Sequence, residues 1–281
     1  MLFQLGVSYG SAIQKPEHMA ELFQWEVHVV ELPLSSMSLQ LKQIAARFGI
    51  RAALHFPSKE MVARMPFILD VRNGDQIRCC LEAAELILRK DQNWEYLVAH
   101  YPIITKHTDP DTVQRLNMEY LFGLRRIAER YDVSVFLENV AVHPQICFPE
   151  AYEAAVQMCD GFCLDVGHAH TMDAILFKKE CMRSYAEDFF RLLAPYIRCI
   201  HLYNAANRLT GDYSCRKHYP YFDYGIDLGF MDTAWLEQQI LQLPNLQYVI
   251  HEPHRDELLM HQKLDFGSFG SFFGGTSTNV R

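Results

Sequence analysis

The 281-residue sequence contains no apolar run of the length that a membrane span requires. Its first strand-like segment begins almost at Met1, which leaves no space for a signal peptide, so a cytoplasmic location is expected. The eight cysteines include no CxxC pair, and several of them lie inside apparent strands or helices. We therefore expect reduced, mostly buried thiols rather than a disulfide framework or a zinc ribbon.

Positive charge is also scarce. The chain has 26 Lys and Arg residues against 34 Asp and Glu residues, which gives a formal net charge of −8. This balance argues against broad nucleic-acid affinity, because phosphate binding relies on basic surface, although it does not exclude a local basic groove. No glycine-rich dinucleotide or phosphate loop follows the first strand-like segment, and this disfavours an open doubly wound sheet.

Strand-like runs are the regular feature of this chain. Eight of them occur, near residues 2–8, 27–32, 51–56, 96–101, 133–138, 161–166, 197–202 and 246–252. Stretches with helical periodicity lie between them, and strands that alternate with helices predict a parallel sheet. Eight such strand–helix repeats predict an α/β fold, a single closed (β/α)8 TIM barrel.

The predicted domain boundaries and one helix can be placed more closely. The barrel domain is expected to span residues 1–265, and residues 266–281, rich in Gly, Ser and Phe, are expected to form a flexible tail. Within the barrel, Ser38 is predicted to be the N-cap of a helix that Gly49 ends.

Each of the last six strand-like runs ends in a residue type that commonly binds metals. In chain order these residues are His55, His100, Glu138, Asp165, His201 and Glu252, and His168 follows shortly after the fourth of them. The carboxyl ends of the strands are the face of a barrel where active sites are built. Charged and imidazole groups at the ends of apolar strands are costly to desolvate unless they are compensated. A divalent cation compensates several at once, and this donor set suits zinc, manganese or iron.

The local motifs around these residues resemble the xylose-isomerase-like barrel superfamily, which holds sugar isomerases and epimerases together with the endonuclease IV type of apurinic-site nuclease. The resemblance covers nearly the whole chain except the tail. Its strongest matches are Leu137-Glu138-Asn139, Leu164-Asp165-Val166-Gly167-His168-Ala169 and Ile200-His201-Leu202, followed by Glu252. The resemblance implies that one metal is bound by Glu138, Asp165, His201 and Glu252. It also implies that His168 touches substrate in an isomerase or binds a further metal in a nuclease.

Other residues bear on the choice between these two classes. His55 and His100 match nuclease-type positions that bind a second metal together with Glu138. His218 matches a ligand of a third metal, but Arg216 stands where the nuclease pattern has an aspartate, and a cation there repels a metal. We therefore assign Arg216 and His218 to substrate binding. Glu31, at the end of the second strand, is assigned either to a substrate hydroxyl or to closing the barrel mouth.

The resemblance and the residues together predict a metal-dependent isomerase, epimerase or dehydratase. One Mn, Zn, Fe or Co ion would polarise a small sugar, sugar phosphate, polyol or keto acid toward an enediolate. Glu138 and Glu252 would move the proton, and His168 would bond the developing oxyanion.

The alternative is a two-metal hydrolase of a phosphoester, abasic DNA or a cobamide-like cofactor, which would also use His55 and His100. A barrel without enzymatic activity that binds metal or sugar is a third reading. The number of metal ions per chain discriminates between the first two. The expected partner is a small molecule, and barrels of this type often pair through their outer helices.

Overall fold

The computed structural model describes residues 3–8, 27–34, 37–56, 72–100, 109–140, 148–169, 183–202, 204–205, 218–219 and 233–251. Eight parallel strands close into a barrel. In chain order they are β1 (Gln4–Ser8), β2 (Val29–Pro33), β3 (Arg51–Phe56), β4 (Tyr96–His100), β5 (Ser134–Glu138), β6 (Gly161–Asp165), β7 (Ile197–Leu202) and β10 (Tyr248–His251). Each strand pairs with its neighbours in this order, and β10 pairs with β1 to close the ring. The remaining strands, β8 (Asn204–Ala205) and β9 (His218–Tyr219), form a separate antiparallel pair.

Helices lie in the connections between the barrel strands. The longer ones in the described segments are α1 (Ser38–Arg47), α2 (Gly74–Lys90), α3 (Pro110–Glu129), α4 (Glu150–Val156), α5 (Arg183–Leu193) and α6 (Thr233–Gln242), and residues 166–169 after β6 are also helical. Their apolar faces, with residues such as Leu88 and Leu124, join the outward-facing strand residues in the larger of two buried clusters. The predicted TIM barrel is confirmed, and each strand lies within two residues of its predicted position.

The start of α1 differs from the prediction. Ser38 was predicted to be the N-cap, and this was wrong, because Met37 occupies that position and makes no side-chain capping bond. The Ser38 hydroxyl donates instead to the carbonyl of Pro33 at the end of β2. A serine hydroxyl can form a hydrogen bond with any of several nearby backbone groups, so the presence of a serine does not by itself show which group it bonds. The predicted end of the helix is confirmed, since Gly49 has a φ of 70°, a left-handed conformation that favours glycine.

The interior of the barrel is filled by the inward-facing strand residues. They are Val29, Ala53, Tyr96, Val98, Phe136, Cys163, Cys199, Tyr248 and Ile250. The ring of Tyr96 lies 4.9 Å from the ring of Phe136 and 4.5 Å from that of Tyr248, between centroids. We call these three rings the aromatic floor. Because side chains alternate along a strand, residues two or four positions further on face the same interior, nearer its carboxyl end.

Within the part of the chain that the structure describes, no helix has both the length and the apolar character needed to cross a membrane. The predicted tail, residues 266–281, lies outside the described residues, so the boundary at residue 265 stays a prediction.

Candidate metal centre

Five of the residues predicted to bind metal meet at the carboxyl end of the barrel. His55, His100, Glu138, Asp165 and His201 lie on the successive strands β3 to β7. Strand pairing places His100 opposite Glu138 and Asp165 opposite His201. The register of the sheet therefore brings together side chains that are separated by up to 146 positions in sequence, between His55 and His201.

His55, His100 and Glu138 form one group, which we call the histidine triad. Nε2 of His55 and Nε2 of His100 each lie 3.1 Å from Oε2 of Glu138. The two imidazole nitrogens are 2.9 Å apart. A tetrahedral zinc ion with ligand bonds of about 2.0–2.1 Å separates its ligand atoms by about 3.3 Å. The three donor atoms therefore have nearly the spacing of one face of such a site.

Glu138, Asp165 and His201 form a second group, the carboxylate triad. Their donor atoms all lie within 4.8 Å of one another. Nδ1 of His201 is 3.5 Å from Oε1 of Glu138, whereas the histidine triad uses Oε2 of the same carboxylate. One carboxylate thus presents a different oxygen to each triad, so Glu138 would contribute to holding a cation in either of them.

The charges in this region are almost entirely buried. Glu138 is 1% exposed and His201 is 0% exposed. Burial alone would raise the pKa of Glu138, but His100, His201 and His55 together hold it well below its usual value. Burial lowers the pKa of His55, yet Glu138 and Glu31 outweigh it and raise that pKa to about 10. In the metal-free protein, positive charge on imidazole offsets the negative charge of the buried carboxylates. A divalent cation would supply this positive charge instead when it displaces the proton from a metal-binding nitrogen. This donor set therefore fits a divalent metal.

A hydrogen-bond network fixes Asp165 and His168. The side chain of Asn139 accepts from the Asp165 backbone N–H at 2.7 Å and donates to the Asp165 carbonyl at 2.9 Å. The backbone N–H of His168 donates to Oδ1 of Asp165 at 2.6 Å. Nδ1 of His168 lies 2.8 Å from the carbonyl of Asn139, and since a carbonyl only accepts, Nδ1 carries the proton. In the neutral ring, Nε2 is then the basic nitrogen.

Glu31 lies deeper in the barrel, directly against both triads. It is 1% exposed, and Tyr96 from the aromatic floor donates to its Oε1 at 2.7 Å. Its Oε2 contacts His201 at 3.0 Å and His55 at 3.3 Å. Burial would raise the pKa of Glu31, but the charges and hydrogen bonds of these two histidines lower it. Glu31 is therefore an ionised carboxylate that contacts one imidazole of each triad.

Four residues around this centre had no functional role in the sequence-based prediction. Tyr96 and Asn139 were not assigned a role, although Tyr96 lies four positions before His100 and so faces the same interior. Cys163 and Cys199 were expected only to be buried thiols, but together with His201 they form a further group of metal-binding side chains. Burial raises the pKa of the Cys163 thiol well above its usual value, and a protonated thiol is a poor ligand.

Two predicted site residues, Glu252 and Arg216, lie outside the described residues. His218 lies in β9, the short strand that pairs with β8. The roles assigned to these three residues stay predictions.

Comparison with known proteins gives a clear answer for the fold. No protein-family model matches the sequence, and no match is found among proteins with curated descriptions. Solved structures do match. A D-tagatose 3-epimerase-like protein has a TM-score of 0.68 at 16% identity, with 99% of this chain and 100% of that chain covered. A 3-keto-D-glucoside 4-epimerase from E. coli has a TM-score of 0.67 at 12% identity, with 96% and 99% covered.

A further match is a xylose isomerase-like TIM-barrel protein from Mycobacterium smegmatis in complex with magnesium, with a TM-score of 0.59 at 11% identity and 97% and 98% of the two chains covered. This chain has the xylose-isomerase-like barrel fold. Identities this low establish the fold alone, so they confirm at that level the resemblance read from the strand-end motifs. In this xylose-isomerase-like barrel, both triads occupy the carboxyl ends of the strands, where barrels of every chemistry place their active sites.

Proposed function

We propose that this protein is a divalent-metal-dependent isomerase or epimerase of a small sugar, sugar phosphate, polyol or keto acid. The observation that carries the proposal is the convergence of Glu138, Asp165 and His201 at the mouth of a xylose-isomerase-like barrel. Two barrels with similar structures are an epimerase and an epimerase-like protein, which supports this class over others. The same residues support dehydration of a substrate that carries a leaving hydroxyl.

The residues of the chain have separable roles in this chemistry. A divalent cation held by the carboxylate triad supplies Lewis-acid polarisation of a carbonyl and its neighbouring hydroxyl, which makes the adjacent C–H acidic. We assign proton transfer to Glu138 and to Glu252, the residue that follows β10 in sequence. Glu138 ends β5, and β5 is separated by β6 and β7 from β10, which Glu252 follows in sequence, so the two carboxylates are assigned to different faces of a substrate. Nε2 of His168 is assigned to a substrate oxygen, since Nδ1 is held by Asn139.

Proton exchange tests this proposal directly. Metal-loaded protein would be incubated in D₂O with ketoses, inososes and 2-keto acids, and deuterium at the reacting carbon would be followed by NMR. We expect exchange with one of these classes and its loss, by about 10²–10⁴-fold, in Glu138→Gln. The matched control is Glu95→Gln, because Glu95 bonds Arg51 and Tyr248 at the opposite end of the barrel. Exchange that persists undiminished in Glu138→Gln would exclude this carboxylate from proton transfer.

The histidine triad favours a second candidate, a two-metal hydrolase. His55, His100 and Glu138 have donor atoms 2.9–3.1 Å apart, so they can hold a cation beside the one in the carboxylate triad. Two cations supply a nucleophile at neutral pH and neutralise the charge of a phosphoester. The substrate would be a soluble phosphoester, a cobamide-like cofactor or abasic DNA, and the net charge of −8 disfavours DNA.

His55→Ala separates the two candidates. Isomerase chemistry needs only the carboxylate triad, so this variant should keep most of its proton-exchange activity. Hydrolysis of an activated phosphodiester such as bis(p-nitrophenyl) phosphate should fall by about 10²-fold or more if a second cation takes part. A wild-type protein that cleaves no phosphoester with either zinc or manganese would remove this second candidate.

We also propose a metal, a partner and a cellular location for this protein. Manganese, zinc, iron and cobalt all suit a donor set of histidine and carboxylate. We propose a small-molecule substrate, a cytoplasmic location and pairing of two copies through the outer helices.

A further inference from the structure

Glu31 contacts one metal-binding histidine of each triad. Its Oε2 lies 3.3 Å from Nδ1 of His55 and 3.0 Å from Nε2 of His201. The other nitrogen of each ring faces Glu138, at 3.1 Å for His55 and 3.5 Å for His201. Each imidazole thus stands between two carboxylates, with Glu31 on its inner side and Glu138 on the side of the metal-binding atoms.

This arrangement determines which nitrogen of each ring can bind a metal. An imidazole that binds a metal through one nitrogen carries a proton on the other, and a carboxylate that accepts that proton fixes the tautomer and the ring orientation. Glu31 accepts from Nδ1 of His55, which leaves Nε2 for the histidine triad. It accepts from Nε2 of His201, which leaves Nδ1 for the carboxylate triad. The two rings therefore bind through different nitrogens because they approach one carboxylate from different strands.

Glu31 is itself held firmly in place. Tyr96 donates to its Oε1 at 2.7 Å, and the Tyr96 ring packs between Phe136 and Tyr248. A buried carboxylate needs several donors to offset its desolvation. The Tyr96 hydroxyl, His55 and His201 supply them from three separate strands, β4, β3 and β7. A shift of Glu31 would therefore disturb both histidines at once.

We propose that Glu31 is a positioning residue that orients one histidine of each triad and thereby couples the two metal-binding sites. The inference rests on the proposed metal centre. Glu31, His55 and His201 also have donor atoms within 4.8 Å of one another, but the ring nitrogens that face Glu31 are its hydrogen-bond donors, so we assign Glu31 to positioning rather than to metal binding. The proposed coupling predicts that a change at Glu31 weakens both sites together. A change at His100, which belongs to one triad, weakens one site.

Glu31→Gln is the sharpest perturbation, because it keeps the shape and removes an acceptor. An amide oxygen in place of Oε2 can still accept from both rings, but as a neutral acceptor. The N–H₂ in place of Oε1 then faces the Tyr96 hydroxyl and Nε2 of His201, which lies 3.1 Å from that oxygen. The N–H of His201 meets a donor there, so this ring must turn or change its tautomer. Both rings also lose the charged acceptor that holds their proton on the nitrogen facing residue 31. Outer partners of metal-binding histidines are worth about 10–100-fold in metal affinity. We expect a loss of this size at both sites.

The experiment is a titration of metal-free protein with Co²⁺, followed by visible absorption, with elemental analysis of the loaded samples. Wild type should bind two Co²⁺, Glu31→Gln should bind both more weakly, and His100→Ala should lose one. Glu95→Gln is the matched control and should bind as wild type does. Tyr96→Phe keeps the carboxylate but removes one of its donors, so it should weaken both sites less than Glu31→Gln, and it replaces that variant if the latter does not fold.

The possible failures can be told apart. Wild-type affinity at either site in Glu31→Gln, or a single Co²⁺ in wild type, would overturn the coupling. A wild type that binds no Co²⁺ would instead refute the proposed metal centre. ¹H NMR of the metal-free protein gives an independent readout, because the imidazole protons of His55 and His201 that face Glu31 should give downfield signals that exchange slowly. Both signals should move upfield or disappear in Glu31→Gln, and their retention at the wild-type chemical shifts would contradict the assignment.

Discussion

Glu138→Gln is the substitution that distinguishes a metal-binding centre from a set of buried polar groups that bind no metal. Glu138 faces His55 and His100 with Oε2 and faces His201 with Oε1. The substitution keeps the size of the side chain and removes its charge. Since both triads use this carboxylate, every cation in the centre should be bound more weakly.

The size of the effect follows from burial. Glu138 is 1% exposed, so solvent cannot take over the role of the lost charge. Breaking one partner of a buried ion pair costs about 3–5 kcal/mol, which corresponds to roughly a hundredfold to several-thousandfold in affinity. His100→Ala removes a ligand from the histidine triad alone, so it should leave the affinity of the carboxylate triad within a few-fold of wild type.

Competition with a chromophoric chelator measures these affinities, and circular dichroism verifies that the variant is folded. Glu95→Gln, which changes a carboxylate at the opposite end of the barrel, is the control for charge. A folded Glu138→Gln protein that holds zinc or manganese with wild-type affinity would refute the assignment of this residue.

Three further predictions concern the fold and its response to pH. The pKa of His55 is raised from 6.5 to about 10, so its protonation stabilises the metal-free protein below pH 6.5 and this contribution disappears as the pH rises to about 10. The melting temperature in EDTA should therefore fall as the pH rises from 6.5 to about 10. It should fall less in the presence of zinc, because zinc binding needs the neutral ring, and an equal dependence of melting temperature on pH with and without zinc would contradict this. Asn73→Ala removes the side-chain cap of α2 and should cost about 1 kcal/mol in urea unfolding, and no loss would argue that the cap is not formed. Gly6→Ala would place a Cβ 2.7 Å from the carbonyl oxygen of Val29 and should cost about 1–3 kcal/mol, whereas Gly74→Ala meets no atom within 4 Å and should be nearly neutral.

The strand-end residues could be predicted because the signal is local. A short apolar run that stops at His100 or Glu138 identifies a strand and its carboxyl end in the same few residues. Parallel strands in a barrel share one direction, so residues far apart in sequence must meet at one mouth. No knowledge of side-chain contacts was needed for this prediction, and the structure brings the donor atoms of the five described residues together in two groups that share Glu138.

The role of Glu31 could not be predicted in the same way. Glu31 was predicted to end the second strand and was assigned to substrate or to the barrel mouth, but it lies in the middle of β2, which continues to Pro33. Its contacts depend on the stagger between strands, which places Glu31 opposite Ala53 and therefore deeper than His55. Sequence alone does not give that stagger. For the same reason the bond from Tyr96 could not be anticipated, because it joins residues 65 positions apart across the interior.

The most direct test of the central claim is the metal content of each chain, measured by elemental analysis of protein purified without chelators and reconstituted with manganese or zinc. We expect at least one tightly bound equivalent in wild type and its loss in Glu138→Gln. One equivalent would favour isomerase or epimerase chemistry in the carboxylate triad and would overturn the coupling through Glu31. Two equivalents are what that coupling requires, and they would leave the hydrolase as a candidate beside the isomerase. A folded wild-type protein that holds no metal after reconstitution would contradict the proposed metal centre.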